Sequence, residues 1–107
     1  MNILERDNIR VLRAEILKAI YENHRQRGPR LRLIVLQGHL DRLYFNVGED
    51  ELVTVLEDMK ERGYLTFERD ETEWKRKRRV EPLAIQITPA GRDLVERTNT
   101  SPAVQFD

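Results

Sequence analysis

The fold is decided by residues 49–68, which read EDELVTVLEDMKERGYLTFE. The apolar residues of its first part recur at spacings of three and four, as on one face of a helix: Leu52, Val55, Leu56 and Met59. Gly63 ends this third helix, and beyond it Leu65 and Phe67 alternate with polar residues. An apolar period of two is typical of a strand. The stretch therefore predicts a helix that passes directly into a strand.

A long first helix is predicted upstream, from Asp7 to Arg27. It carries apolar residues at helical spacing: Ile9, Leu12, Ile16 and Ile20. Asp7 can cap its start, and Gly28 followed by Pro29 is a strong stop signal. The next residues, 30–32, have room only for an extended link or a brief strand.

A second helix is predicted from Leu33 to about Phe45, again with an apolar stripe: Leu33, Leu36, Leu40 and Leu43. Gly38 weakens it by about 1 kcal/mol relative to alanine. A turn at residues 46–48 then leads into the third helix. The first turn of that helix is acidic, which the helix dipole favours.

A β-hairpin and a last short helix are predicted downstream. Residues 83–87 alternate as a strand, and they pair most economically with the strand after Gly63 as an antiparallel hairpin. The connection from about Arg69 to Glu81 is highly charged and forms the hairpin tip. Thr88 and Pro89 suit the N-cap and first position of the last helix. We expect one domain over residues 1–98 and a flexible tail over 99–107.

The apolar residues on these predicted faces form the predicted core. Its members are Ile9, Leu12, Ile16, Ile20, Leu36, Leu40, Leu43, Leu52, Leu56, Met59, Leu65, Phe67, Ile85, Ile87 and Leu94.

The composition excludes several classes of protein. A chain of 107 residues holds one ordinary domain, which rules out a two-domain enzyme. It has no cysteine, which excludes disulfides, cysteine nucleophiles and thiolate metal sites. No motif joins His24 or His39 to acids, Ser101 is the only serine, and there is no glycine-rich phosphate loop. We therefore expect neither an enzyme nor a cofactor.

The chain also shows no sign of membrane insertion or export. No apolar run approaches the roughly 20 residues of a membrane helix, and residues 1–7 lack the apolar core of a signal peptide. We expect a cytoplasmic protein that does not contact a membrane.

Charge is balanced overall but unevenly distributed. The chain has 19 basic and 19 acidic residues, and 15 of the basic residues are arginine. Residues 1–46 hold 9 basic and 5 acidic residues, residues 47–73 hold 3 and 10, and residues 74–107 hold 7 and 4. Two positive regions therefore flank a negative one, and arginine suits forked contacts with phosphate or carboxylate.

The order helix, link, helix, turn, helix, hairpin, helix resembles that of a winged helix domain. The motif Leu52-x3-Leu56-x2-Met59-x3-Gly63-Tyr64-Leu65 resembles the passage from third helix to wing in many small bacterial repressors. The motif Ile87-Thr88-Pro89-Ala90-Gly91-Arg92 is similar to the "LTPxG" passage from the second wing strand into the last helix. The resemblance implies an α+β, mostly helical fold with a three-helix core, a two-stranded β wing and a C-terminal helix.

A narrower resemblance covers the chain from about Leu4 to Thr98. Residues 4–7 with the following apolar residues 9–17, then Val35-Leu36-Gln37, resemble a family of small, poorly characterised proteins of Mu-like phages and prophages. That family has no established catalytic or binding residues, so no residue role follows from it.

The third helix is a poor candidate for reading DNA. A helix-turn-helix protein places the N-terminal side chains of this helix against base edges and phosphates. Here they would be Glu49, Asp50, Glu51 and Thr54, with Glu57 and Asp58 a turn later. One carboxylate can accept from a cytosine amino group, but a whole acidic turn is repelled by phosphate. The simpler interpretation is a solvated helix start whose acids favour the dipole.

Two basic sets are the better candidates for nucleic-acid binding. The first follows the first helix and consists of Arg25, Arg27, Arg30 and Arg32. The second lies in the hairpin tip and consists of Trp74, Lys75, Arg76, Lys77, Arg78 and Arg79. If the link after the first helix lies beside the wing, both sets form one surface for phosphate contacts, which carry little base information. A charge run can equally be a solvated or partner-binding loop.

The sequence thus predicts a DNA-binding winged helix protein, a phage- or prophage-type regulator that contacts double-stranded DNA mainly through its wing. The alternative is a winged helix used for protein interaction or assembly, as a homodimer or in a phage complex. The opposite charges could then pair between copies. The apolar contact would come from the outer face of the first helix, the last helix and the tail. The candidate residues are Val11, Ala14, Tyr21, Val104 and Phe106.

Overall fold

The computed structural model describes residues 6–28, 30–69 and 82–106. Over these residues the fold is α+β and mostly helical, with one two-stranded antiparallel sheet, which confirms the predicted class at this level. The elements are α1 (Arg6–Arg27), α2 (Leu33–Arg42), α3 (Glu49–Glu61), β1 (Leu65–Arg69), β2 (Pro82–Ile87) and α4 (Pro89–Val95).

The core lies between the helices and one face of the sheet. Helix α1 is its centre, because it packs against α2, β2 and α4. Most of the predicted core residues are buried, while Ile9 is half-buried at its edge. The prediction was wrong for Leu43, which is 42% exposed. Helix α2 ends at Arg42, and the chain then turns so that Val47 is buried instead.

Each described helix is followed, within two residues, by a residue with left-handed backbone. The four residues are Gly28 (φ 103°), Tyr44 (φ 65°), Gly63 (φ 83°) and Arg97 (φ 60°). After α3, the Gly63 N–H donates to the Lys60 carbonyl and the Tyr64 N–H to the Met59 carbonyl. This pair of bonds is a Schellman motif, in which glycine is the preferred left-handed residue because it has no Cβ.

Helix α2 ends in the same motif without a glycine. The Tyr44 N–H donates to the Asp41 carbonyl at 3.0 Å, and the Phe45 N–H donates to the Leu40 carbonyl at 3.1 Å. A side chain in the left-handed region costs about 1 kcal/mol relative to glycine. Tyr44 therefore lowers the stability of the fold relative to glycine at this position.

Thr88 and Gly91 fix the start of α4 against the beginning of β1. The Thr88 hydroxyl accepts from the Gly91 N–H at 3.1 Å and donates to the Gly63 carbonyl, while the Thr88 N–H donates to the Tyr64 carbonyl at 3.2 Å. Pro89 occupies the first turn, as predicted. A Cβ on Gly91 would lie 2.1 Å from the Tyr64 carbonyl oxygen, so only glycine fits here.

A single residue between α1 and α2 extends the sheet. The Leu31 N–H donates to the Ile85 carbonyl and the Ile85 N–H donates to the Leu31 carbonyl, both at 3.0 Å. The prediction of an extended link or brief strand at residues 30–32 is therefore confirmed. On its other side β2 pairs with β1, with an irregularity between Thr66 and Glu68.

The end of the chain is not the loose tail that we predicted. Ala103 and Val104 are buried in the core cluster. The Gln105 N–H donates to the Arg10 carbonyl at 3.1 Å, and the Arg13 guanidinium donates to the Ala103 carbonyl at 3.0 Å. The segment therefore covers a face of α1.

The same packing corrects the predicted outer face of the first helix. Ala14, expected there to be available for a partner, is 2% exposed. Val11 and Tyr21 are half-buried. Because α1 packs on several sides at once, little of its apolar surface is left for association.

Candidate nucleic-acid interface

Arg30 and Arg32 flank the Leu31 bridge at the edge of the sheet. Successive side chains of an extended segment point to opposite faces. Leu31 is buried, and both arginines are exposed beside β2. The bridge therefore places two exposed arginines next to β2.

Arg25 lies in the last turn of α1, and its side chain contacts other residues of the same helix. Its guanidinium lies 3.5 Å from the Glu22 carboxylate and 5.7 Å from the centroid of the Tyr21 ring. The Tyr21 hydroxyl donates to Glu96 at 2.8 Å. That hydrogen bond is the main reason why the pKa of Tyr21 is raised above its ordinary value, because ionisation would remove the donor. The Arg25 side chain is 63% exposed, and the nearby Glu22 carboxylate partly neutralises its charge.

The remaining predicted contacts lie outside what the structure describes. Arg27 is the last residue of α1, but its side chain is not described. The hairpin-tip residues fall between the described ranges 30–69 and 82–106. They are Trp74, Lys75, Arg76, Lys77, Arg78 and Arg79.

The first turn of α3 is acidic, as the sequence predicts. Its acids are Glu49, Asp50 and Glu51, of which the last two are exposed. Gly48 is the N-cap and offers no side-chain cap. Thr54 donates to the backbone carbonyl of Asp50 at 3.0 Å, so its hydroxyl is used inside the helix. This end of α3 presents negative charge.

Two charged residues farther along α3, Asp58 and Lys60, contact other parts of the chain. Asp58 lies 3.0 Å from Arg13 of α1 and 2.9 Å from Arg62. The Lys60 ammonium donates to the Phe67 carbonyl at 3.3 Å and lies 4.6 Å from the centroid of the Phe67 ring. Asp58 therefore links α3 to α1 and Lys60 links it to β1, whereas Arg62 pairs only with Asp58 at the end of α3 itself.

Four exposed apolar side chains at the two ends of α2 were not predicted from the sequence. Among the described residues, the exposed large apolar side chains are Ile34 (67%), Val35 (41%), Leu43 (42%) and Tyr44 (88%). Ile34 and Val35 lie in the first turn of α2, and Leu43 and Tyr44 follow its last residue. A signal was present, because α2 begins with four consecutive apolar residues, and one helix face cannot bury all four.

A groove of about 370 Å³ runs between α1 and α2. Val35, Leu36 and Leu43 form part of its apolar lining. Glu15, Lys18, Glu22, His39 and Arg42 also line it. The groove thus combines apolar side chains with charges of both signs.

The described residues hold no cluster of three or more histidine, cysteine or carboxylate side chains that could bind a metal. None of the helices in those ranges is long and apolar enough to cross a membrane. Comparisons of the chain with protein-family models, with curated proteins and with solved structures found no match.

Proposed function

We propose that this chain is a winged helix domain that binds double-stranded DNA mainly through phosphate contacts, as a regulator of the phage or prophage type. The observation that carries the proposal is the bridge between Leu31 and Ile85. It holds Arg30 and Arg32 beside the hairpin whose connecting segment contains five consecutive basic residues, 75–79. Basic groups on neighbouring elements suit a phosphate backbone.

A second observation supports the winged helix architecture. The two motifs that carry the sequence resemblance meet in space, because Thr88 bonds to Gly63 and Tyr64. Gly91 approaches the Tyr64 carbonyl where no side chain fits. The threonine, proline and glycine of the second motif thus each have a physical role at one junction.

The acidic start of α3 determines what kind of DNA binding we propose. Carboxylates facing phosphates oppose binding, so α3 does not supply the affinity. Arg30, Arg32 and the hairpin tip would neutralise phosphates, which position a protein without reading bases. The proposed binding therefore depends strongly on salt and weakly on sequence.

The first test is a fluorescence-anisotropy titration of a random duplex at several salt concentrations. We expect log affinity to fall with log salt with a slope magnitude of about 4. The double variant Arg30→Gln/Arg32→Gln should reduce that magnitude by about 2, since each lost phosphate contact lowers it by about 1. Neutralising residues 75–79 to glutamine should reduce it further. Arg97→Gln, which removes an exposed arginine beyond α4, is the matched control. Absence of binding at low salt contradicts the proposal.

The alternative function is a winged helix that serves protein interaction or assembly instead of DNA binding. The acidic first turn of α3 favours it, because this is where a sequence-reading protein would approach DNA. A variant with Glu49→Gln, Asp50→Asn and Glu51→Gln separates the two. A DNA-binding protein should keep or gain affinity for the duplex, because repulsion is removed. An assembly module should instead lose its partner when either charged set is neutralised.

A further inference from the structure

Three arginine side chains from two parts of the fold meet around one surface cavity of about 360 Å³. Arg10 and Arg13 lie about one turn apart on α1, and Arg62 follows the last residue of α3. Pro102 and Ala103, near the end of the chain, form another part of the lining. No acidic residue of the described ranges lines this cavity. We call Arg10, Arg13 and Arg62 the arginine cluster.

The arginine cluster carries more positive charge than the described residues around it neutralise. Its acidic partner is Asp58, which lies 3.0 Å from Arg13 and 2.9 Å from Arg62. Glu61, beside Arg62 in the sequence, is exposed and does not line the cavity. Three guanidinium groups and one carboxylate leave an excess of two positive charges.

Two N–H groups of the arginine cluster are buried without an acceptor. Among the described residues, the buried side-chain nitrogen and oxygen atoms without a hydrogen-bond partner are Arg10 Nε, Arg13 Nε and His24 Nδ1. A buried donor without a partner is destabilising, more so when it belongs to a charged group. An anion in the cavity offsets this cost, because the positive charge of a guanidinium is delocalised over all its nitrogen atoms.

Arg13 is held in position before any ligand binds. Its guanidinium donates to the Ala103 carbonyl at 3.0 Å and also contacts Asp58. The Arg13 side chain is only 14% exposed, so the chain end and α3 together fix it against the cavity. A side chain that is already ordered loses little conformational entropy on binding.

The excess charge and the size of the cavity indicate the ligand. A phosphate monoester carries a charge of about −1.5 to −2 near neutral pH, which balances the two excess positive charges, whereas a carboxylate or a phosphodiester supplies only one. Guanidinium groups bind phosphate oxygens through forked pairs of hydrogen bonds. Small-molecule sites occupy about 300–1,000 Å³, so this cavity also has room for an organic group beyond the phosphate.

We propose that the arginine cluster binds the phosphate group of a small phosphate monoester. The arginines assigned to DNA lie elsewhere, because Arg25 is about 18 Å farther along α1 than Arg13, and Arg30 and Arg32 follow that end of the helix. The site therefore goes beyond the proposed function. It is measured without DNA, so a failure of DNA binding does not affect its test.

The first measurement is a nuclear magnetic resonance titration of the isotope-labelled full chain with phenyl phosphate at about pH 7.5, where the monoester is a dianion. We expect saturable shifts of the amides around Arg10, Arg13 and Arg62, with a Kd of about 1 mM or lower. Arg10→Gln should weaken binding about 10-fold or more through loss of charge-assisted bonds. Arg25→Gln, the matched control on the same helix, should leave binding unchanged.

The variants are chosen so that the fold is kept. The backbone bond from Gln105 to Arg10 remains in Arg10→Gln. Arg62→Gln is a second variant, because Asp58 keeps its contact with Arg13, and it should weaken binding several-fold. Thermal unfolding without ligand checks that both variants are folded. Absence of saturable shifts up to about 10 mM phenyl phosphate, or unchanged binding by both folded variants, overturns the proposal.

A comparison of two esters identifies the chemistry that is bound. Methyl phenyl phosphate, the diester made from the same monoester, carries one negative charge and should bind at least about 5-fold more weakly than phenyl phosphate. A random duplex at low salt should leave the monoester bound. If the diester binds as tightly, or if the duplex displaces the monoester, the arginine cluster contacts nucleic-acid backbone instead and the proposal is overturned.

Discussion

Replacing Gly91 with alanine is expected to lower the free energy of unfolding by about 3 kcal/mol. The added Cβ would lie 2.1 Å from the Tyr64 carbonyl oxygen and 2.9 Å from Ile87 Cγ1. The closer of these contacts is to backbone, so relief requires α4 to move away from β1. That movement would also disturb the hydrogen bonds of Thr88 to Gly63 and Tyr64.

Urea denaturation of Gly91→Ala, followed by circular dichroism, measures this loss. The matched control is Gly38→Ala, the same substitution in the middle of a helix with open space around it. The control should gain about 1 kcal/mol from helix propensity. Opposite signs for the two variants are the expected result. A Gly91→Ala variant as stable as the parent would show that α4 does not depend on this close approach.

Removing residues 103–107 is expected to cost about 3 kcal/mol of folding free energy. Val104 is 6% exposed, and its loss returns apolar surface of the core to water. The Arg13 guanidinium would also lose the Ala103 carbonyl that it contacts at 3.0 Å.

The same denaturation experiment checks this truncation. Gln105→Ala is the control, because the Gln105 side chain is exposed and its backbone bond to Arg10 remains. We expect its midpoint to match that of the parent. A truncated chain with an unchanged midpoint would mean that the segment behaves as the loose tail that its sequence suggests.

Features of this fold that depend on local sequence could be predicted, whereas features that depend on contacts between distant residues could not. Local periodicity predicted the helices, the change to strand after Gly63 and the caps at Thr88 and Pro89, since spacing along the chain determines them. The error at Leu43 has a tertiary cause. The left-handed turn at Tyr44 swings the chain so that Val47 enters the core, and nothing in the apolar spacing shows this.

The packing of the chain end likewise could not be predicted from a local sequence pattern. Ala103 and Val104 are two apolar residues between Pro102 and Gln105, and they are buried because the end of the chain packs against α1. For the candidate interface, the position of Arg30 and Arg32 beside the hairpin was a condition that the resemblance to a winged helix domain suggested, and the bridge from Leu31 to Ile85 meets it. The internal partners of Asp58 and Lys60 were not, because contacts between distant residues leave no periodic signal.

The bridge at Leu31 makes one backbone amide a reporter of how firmly the link between α1 and α2 is held against the sheet. Its hydrogen bond joins residues more than fifty positions apart, and no neighbouring strand residue on its own segment supports it. The pairing therefore exists only while α1, α2 and the hairpin are all in place. Hydrogen exchange at the Leu31 amide therefore reports every opening that separates this link from β2, local or global, and its free energy sets a lower bound on the stability of the domain.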